Sequence, residues 1–415
     1  MLKSLASAWK IKELRQKILF TLLMFLVFRI GAHIPVPGID RALIGDLFSS
    51  DIFGFLDIVS GGSLKSVSVF AMGIIPYINA SIIVQLLTMV VPYFEKLQKE
   101  GTEGRKKMTQ IIRFSTAGLA LLQAIGMAFY MKNYLLSGGY MIPVIITLTA
   151  GTMFLMWIGE QITDKGIGNG ISLIILAGIV SKIPSGAIAA VKYLVAGTLN
   201  IFMLLLLLVA ALLIIAGVVC VQEGQRQINV QYAKRVVGRK VYGGQSTHIP
   251  MKVNQAGVIP IIFASSFLLL PATIAGFFPN SGFAQGVVNV LSFDHPVYMI
   301  LYSLLIIVFT YFYTAATFNT NDVADNLKKY GGFIPGMRPG KPTAEYLDKI
   351  LSRLTFAGGI FLVLIALMPN LAMAISGINI SFGGTSLLIA VGVSLETMKQ
   401  IESHLLMRHY EGFMK

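Results

Sequence analysis

Few residues in this chain have the types and spacing that chemistry needs. His33, His248, His295, His404 and His409 are scattered, and none has a ligand partner at helical spacing. No HExxH, GxxxxGKS loop or GxSxG elbow occurs. Gly166 to Gly170 (GIGNG) is glycine-rich but follows no strand and lacks dinucleotide spacing, so it reads as a tight turn into a helix. The single cysteine, Cys220, excludes an internal disulfide and lies in an apolar run, as a small core residue would. Catalysis, a metal and a cofactor are therefore not expected.

What does recur is aliphatic. Ile74, Ile78 and Ile82 stand every four residues and form one helical stripe; Ile171 and Ile175 repeat that spacing, and Ile262 joins them below. Such a stripe is either ordinary packing or an apolar constriction, which blocks ions and water by dewetting yet yields to a bulky solute. A proton- or sodium-driven carrier would need ionisable groups at the membrane midplane. The nearest acids, Glu160 and Glu396, lie toward the inner ends of their apolar runs, which counts against a carrier.

These residues must be positioned by membrane-spanning helices. Apolar residues make up 55% of the 415 and charged residues 13%, too little charge to cover a water-soluble surface. Apolar runs fall at about 18–35, 68–92, 114–131, 141–161, 168–183, 200–221, 255–278, 298–318, 354–373 and 382–400, most near the length a spanning helix needs. The first is long and lacks a small-residue cleavage pattern, so it reads as a retained span. With the N-terminus inside, 27 of the 33 Lys and Arg fall in inside segments and five outside, a bias that sets the orientation and gives the +14 net charge its place. The fold class is thus an all-α polytopic membrane protein of about ten transmembrane helices.

A nine-residue stretch occurs twice: GIIPYINAS from Gly73 to Ser81, and GVIPIIFAS from Gly257 to Ser265. The copies fall on the second and seventh runs, which cross in opposite directions five spans apart. This is the pattern of two inverted five-helix halves around a central pathway, 18–183 and 184–400. The polar Asn79, Gln85 and Thr88 in one run, and Pro260, Ser265, Ser266 and Pro271 in the other, suit the protein interior better than lipid. Residues 1–17, with five basic residues, read as an interfacial cytoplasmic helix, and 401–415 as a cytoplasmic tail. Arg29, alone in the first run, must reach an interface or a partner.

Two kinds of connection are too long for their task. The outside segment 36–67 ends in GFLDIVSGGSLKS (54–66), either an ordinary loop or a half-helix hinged at Gly61 and Gly62 that folds back into the protein. The inside segments 222–252 and 319–353 are basic and rich in Gly and Pro, which fits docking of an anionic partner such as ribosomal RNA or an acidic motor surface.

Several long motifs carry a resemblance: FRIGAHIPVPGID (28–40), FAMGIIPYINASIIVQLL (70–87), GTMFLMWIGEQITDKGIGNGIS (151–172), YAKRVVGRKVYGGQSTHIPMKVNQAGVIPIIFASS (232–266), VADNLKK (323–329), GFIPGMRPGKPT (332–343) and FGGTSLLI (382–389). In this order they resemble the SecY family, the channel-forming large subunits of the bacterial Sec protein translocase. The resemblance implies a passive channel for unfolded polypeptides in the cytoplasmic membrane, with both termini cytoplasmic. It implies a pore ring at Ile74, Ile78, Ile171, Ile175, Ile262 and Ile389, and an external plug over 54–66 that includes Phe55, Leu56, Ile58, Val59, Gly61 and Gly62. It further implies a lateral gate between spans two and seven, where Asn79, Gln85, Pro260 and Ser265 lie. Docking for a SecA motor or the ribosome falls on Lys234, Arg235, Arg239, Lys240 and Arg338. Small SecE-type and SecG-type subunits, signal peptides, nascent chains and lipid are the other implied partners. A small-solute carrier and an intramembrane enzyme remain as rivals, the first lacking midplane charge and the second a nucleophile–base pair.

Overall fold

The computed structural model describes residues 9–39, 57, 60–197, 200–232, 235–237, 240–242, 246–276, 281–292, 295–376 and 384–413. Each of the ten apolar runs falls on its own helix. These are α1 (Lys12–Gly31), α2 (Ile75–Val90), α4 (Thr102–Tyr130), α5 (Met141–Lys165), α6 (Gly170–Val180), α8 (Ile201–Glu223), α9 (Ile259–Gly276), α11 (Pro296–Thr317), α13 (Lys341–Ser376) and α14 (Gly384–Phe413). Between them lie the shorter α3 (Pro92–Lys99), α7 (Ile183–Val195), α10 (Gly282–Val290) and α12 (Thr320–Lys329). Among the described residues six stretches are long and apolar enough to cross a membrane, or seven if α2 and α3 count as one bent span. Charged and polar residues at the inner ends of α1 and α14, together with Arg29 in the last turn of α1, keep those two outside this count.

Local sequence explains the helix ends. Asn169, Asn200 and Asn319 each accept backbone N–H bonds at the starts of α6, α8 and α12, as N-capping side chains do. Val91 precedes Pro92 and is driven to extended geometry, so α3 leaves α2 at 99°. The expected break between a surface segment at 1–17 and the first span comes earlier, at Ile11, whose extended backbone (φ −87°, ψ 116°) separates the helical Trp9 and Lys10 from α1. Nothing between Lys12 and Gly31 breaks a helix, and Leu14 is buried with Ile167 and Ile401. Likewise no breaker separates the tenth span from the expected tail, and α14 runs on to Phe413. The expected boundary between halves at 183/184 falls inside the first turn of α7, within one candidate span over Gly170–Lys192.

The sequence repeat is a repeat of geometry. Gly73 (φ +58°) and Gly257 (φ +65°) both take the left-handed conformation that favours glycine, two residues before α2 and α9 begin. Pro76 and Pro260 then stand second in their helices, where a missing N–H costs nothing. Five residues on from each proline, Ser81 Oγ donates to the Ile78 carbonyl and Ser265 Oγ to the Ile262 carbonyl, each at 2.9 Å. The second run was expected to be helical from residue 68; the left-handed glycine delays the helix to Ile75.

The basic inside segments contain strands that the helical reading did not anticipate. β1 (Gln225–Tyr232) pairs antiparallel with β4 (Ser246–Lys252) and, at Gln231↔Phe333 and Tyr232↔Gly332, with β5 (Gly332–Phe333). β2 (Arg235–Val237) and β3 (Lys240–Tyr242) form a separate two-stranded ribbon. Along β1, Ile228 and Val230 alternate inward and join Met251, Leu327, Ile334, Leu347, Ile350 and Leu351 in a small core of its own. The main core lies within the membrane helices and draws on α1, α2, α5, α6, α8, α9, α11, α13 and α14.

Candidate functional site

Two neighbouring helices carry the repeat: α2 packs directly against α9, and α9 also packs against α4 and α11. Around this meeting lies one apolar cluster. Ile74, Ile78, Ile175 and Ile389 are buried in it, while Ile171 and Ile262 are partly buried and pack against it. All six isoleucines therefore belong to a single core, though they come from four helices, with Ile74 capping the start of α2. Close backbone approach positions Ile171. A Cβ on Gly170 would lie 1.9 Å from the Gly159 carbonyl oxygen, and one on Gly159 would lie 2.5 Å from Ile171 Cδ1. Glycine at both places lets α5 and α6 touch and leaves room for that side chain.

The polar residues of α2 and α9 face inward, as expected of groups that cannot face lipid. Asn79, Thr88, Pro260, Ser265 and Ser266 are buried, and Gln85 is half-buried. Pro271 is exposed, against expectation. Glu160 accepts from Arg113 Nε at 2.7 Å, so one of the two acids nearest the membrane interior is already paired.

The outer segment folds back into the protein. Phe55, Leu56, Ile58 and Val59 lie outside the described residues. Among those described, Asp57, Ser60, Ser63, Leu64 and Val67 are all buried, which rules out a solvated outside loop. Residues 60–67 form turns, with Gly61 at φ +68° and Gly62 at φ +88°. Arg29 finds its partner here: its Nη1 donates to the Gly61 carbonyl at 2.9 Å, and Ser181 Oγ approaches the same oxygen at 3.4 Å. The Asp57 carboxylate meets Lys182 Nζ at 2.5 Å and accepts the Lys65 backbone N–H at 2.9 Å. Sequence reasoning missed both ties, because one partner is a backbone carbonyl and the other lies 125 residues away.

Of the basic docking candidates, Lys234 and Arg239 lie outside the described residues. Arg235 and Lys240 begin the two strands of the β2–β3 ribbon. Arg338 is exposed in a turn whose shape comes from Gly336 (φ +84°), Gly340 (φ +102°) and a bond from Thr343 Oγ1 to the Arg338 carbonyl at 2.8 Å. Among the described residues, no group of three or more His, Cys, Asp or Glu could hold a metal ion.

Comparison with known proteins gives this geometry a context. The family model described as SecY matches residues 68–398. Over 430 aligned residues, covering the whole of both chains, the sequence is 49% identical to a protein described as protein translocase subunit SecY from Halalkalibacterium halodurans. The fold is similar to a solved structure described as that of a protein conducting channel, with a TM-score of 0.70 at 19% identity over 94% of this chain and 92% of the other. A second solved structure, concerned with how the plug domain of the SecY protein stabilises the closed state of the channel, gives a TM-score of 0.67 at 19% identity over the same shares.

Proposed function

The chain belongs to the SecY family, and from that membership we propose that it is the channel-forming subunit of a bacterial protein translocase. It passes unfolded polypeptides across the cytoplasmic membrane and releases apolar segments sideways into lipid. The whole-length identity to a translocase subunit carries this reading. The work is passive and needs no covalent step, so energy comes from a SecA-type motor or a ribosome on the cytoplasmic face. SecE-type and SecG-type small subunits complete the complex.

Each part has a physical task. Ile74, Ile78, Ile171, Ile175, Ile262 and Ile389 form an apolar gasket around an extended chain; their membership of one core supports this. Such a constriction dewets and so keeps the ion leak low while a polypeptide moves. The segment 54–66 is the plug that seals the resting pore from outside, a role supported by the burial of Asp57, Ser60, Ser63 and Leu64. Contact between α2 and α9 supports a lateral gate there, through which signal peptides and membrane segments reach lipid. Buried Asn79 makes that seam more polar than lipid, so it helps set how apolar a segment must be to leave. Arg338, with Lys234, Arg235, Arg239 and Lys240, offers positive charge to the motor or to ribosomal RNA.

The test is reconstitution into proteoliposomes with SecE-type and SecG-type subunits and SecA. With ATP and an unfolded secretory precursor, the precursor becomes protected from external protease. Absence of protection, from correctly inserted protein and an active motor, overturns the reading in favour of a small-solute carrier.

A further inference from the structure

We propose that Asp57, Lys182 and Arg29 form a two-point latch that holds the plug against the outer ends of α6 and α1. These are positioning residues for the resting seal, and the proposal rests on reading 54–66 as the plug. The first tie is ionic. The Asp57 side chain is 4% exposed and Lys182 26%, with Oδ2 and Nζ at 2.5 Å. The second Asp57 oxygen takes the Lys65 backbone N–H, which folds the plug segment around its own carboxylate. A buried carboxylate with one charged partner resists leaving it, because breaking the pair in place strands a charge away from water.

The second tie is a charge-assisted hydrogen bond. Arg29 sits in an otherwise apolar stretch of α1, where an unsatisfied guanidinium is costly, and it donates to the Gly61 carbonyl. Gly61 is also where the plug backbone rests on α6: a Cβ there would lie 3.0 Å from Gly178 Cα. A Cβ on Gly62 would lie 3.0 Å from Lys182 Nζ. Glycine at 61 and 62 thus does two things, supplying positive φ and letting the backbone lie against the latch.

The place of the latch suggests how it opens. Ser181 and Lys182 directly follow α6, the helix that carries Ile171 and Ile175. A polypeptide that forces its way between the isoleucines displaces α6, and the same movement draws Lys182 and Ser181 away from Asp57 and Gly61. Once loosened, all three charged groups face the aqueous outer side and exchange their partners for water. The latch is therefore reversible, and it reports to the plug that the ring is occupied.

The experiment measures resting ion conductance of the reconstituted complex in planar bilayers for Asp57→Asn, Lys182→Gln, the pair together, and a deletion of 60–66. Each single change is expected to raise conductance about tenfold or more, as losing one partner of a buried pair would. The double variant rises no further than the larger single, since no unpaired charge is left behind. A second readout uses Ser63→Cys in a Cys220→Ser background: Asp57→Asn should speed its labelling by a membrane-impermeant maleimide from the outer side. If deletion of 60–66 opens the channel while both single variants match the wild type in conductance and labelling, the latch is wrong and the plug stands. If the deletion itself leaves conductance unchanged, the plug reading falls and the latch with it.

Discussion

Changing Ile78 and Ile262 together to serine tests the smallest unit of the proposed channel. Both side chains belong to the main core, and a hydroxyl at each place would hydrate a constriction that otherwise stays dry. Resting ion conductance is expected to rise several-fold, and a wild-type level even with 60–66 deleted would remove these residues from the pore. Asn79→Leu acts on exit rather than leak. Model segments of graded hydrophobicity should then need a different threshold to insert into the membrane, and an unchanged threshold would show that Asn79 merely packs. At this scale the stripe Ile74, Ile78 and Ile82 and the pair Ile171 and Ile175 were legible from fourfold spacing, and Ile262 from the repeat; the grouping of six as a ring, with Ile389, came only from the family resemblance. Arg29 and Asp57 were not. Arg29 was recognisable as a misfit among apolar neighbours, but its acceptor is a carbonyl, and every residue has one of those.

Helices and their ends were the most readable level, since an apolar run of spanning length has few alternatives. What the runs concealed is how they begin. Gly73 and Gly257 look like ordinary members of a repeat, yet each stands in the left-handed region and delays its helix. At Gly257 an added Cβ meets nothing within 4 Å, so Gly257→Ala isolates the backbone effect and should cost about 1–2 kcal/mol. Gly170→Ala has no such conformational strain but would place Cβ 1.9 Å from a carbonyl oxygen. Thermal unfolding in detergent should therefore drop further for Gly170→Ala than for Gly257→Ala; the reverse order would mean that α5 and α6 separate easily. The strands were missed for a different reason. Ile228 and Val230 alternate over too few residues, among Gln, Arg and Asn, for period two to stand out in a basic loop.

For the whole molecule the decisive prediction concerns its cytoplasmic face. The turn that presents Arg338 is built from backbone and Thr343, so Arg338→Glu leaves it intact while reversing an exposed charge. Motor-driven translocation should fall while membrane assembly is unchanged, and the defect in motor binding should shrink at high salt, where exposed charges are screened. Normal transport would take Arg338 out of the docking surface. The sheet beneath it has an evolutionary corollary. Because β5 pairs with β1, two loops about 100 residues apart share one register. A single inserted residue within 225–232 would reverse the inward alternation that the small core depends on, and one just before 332 would shift the partner strand. Length variation among homologous sequences is thus expected to avoid β1, β4 and β5, where one extra residue would break the register the loops share.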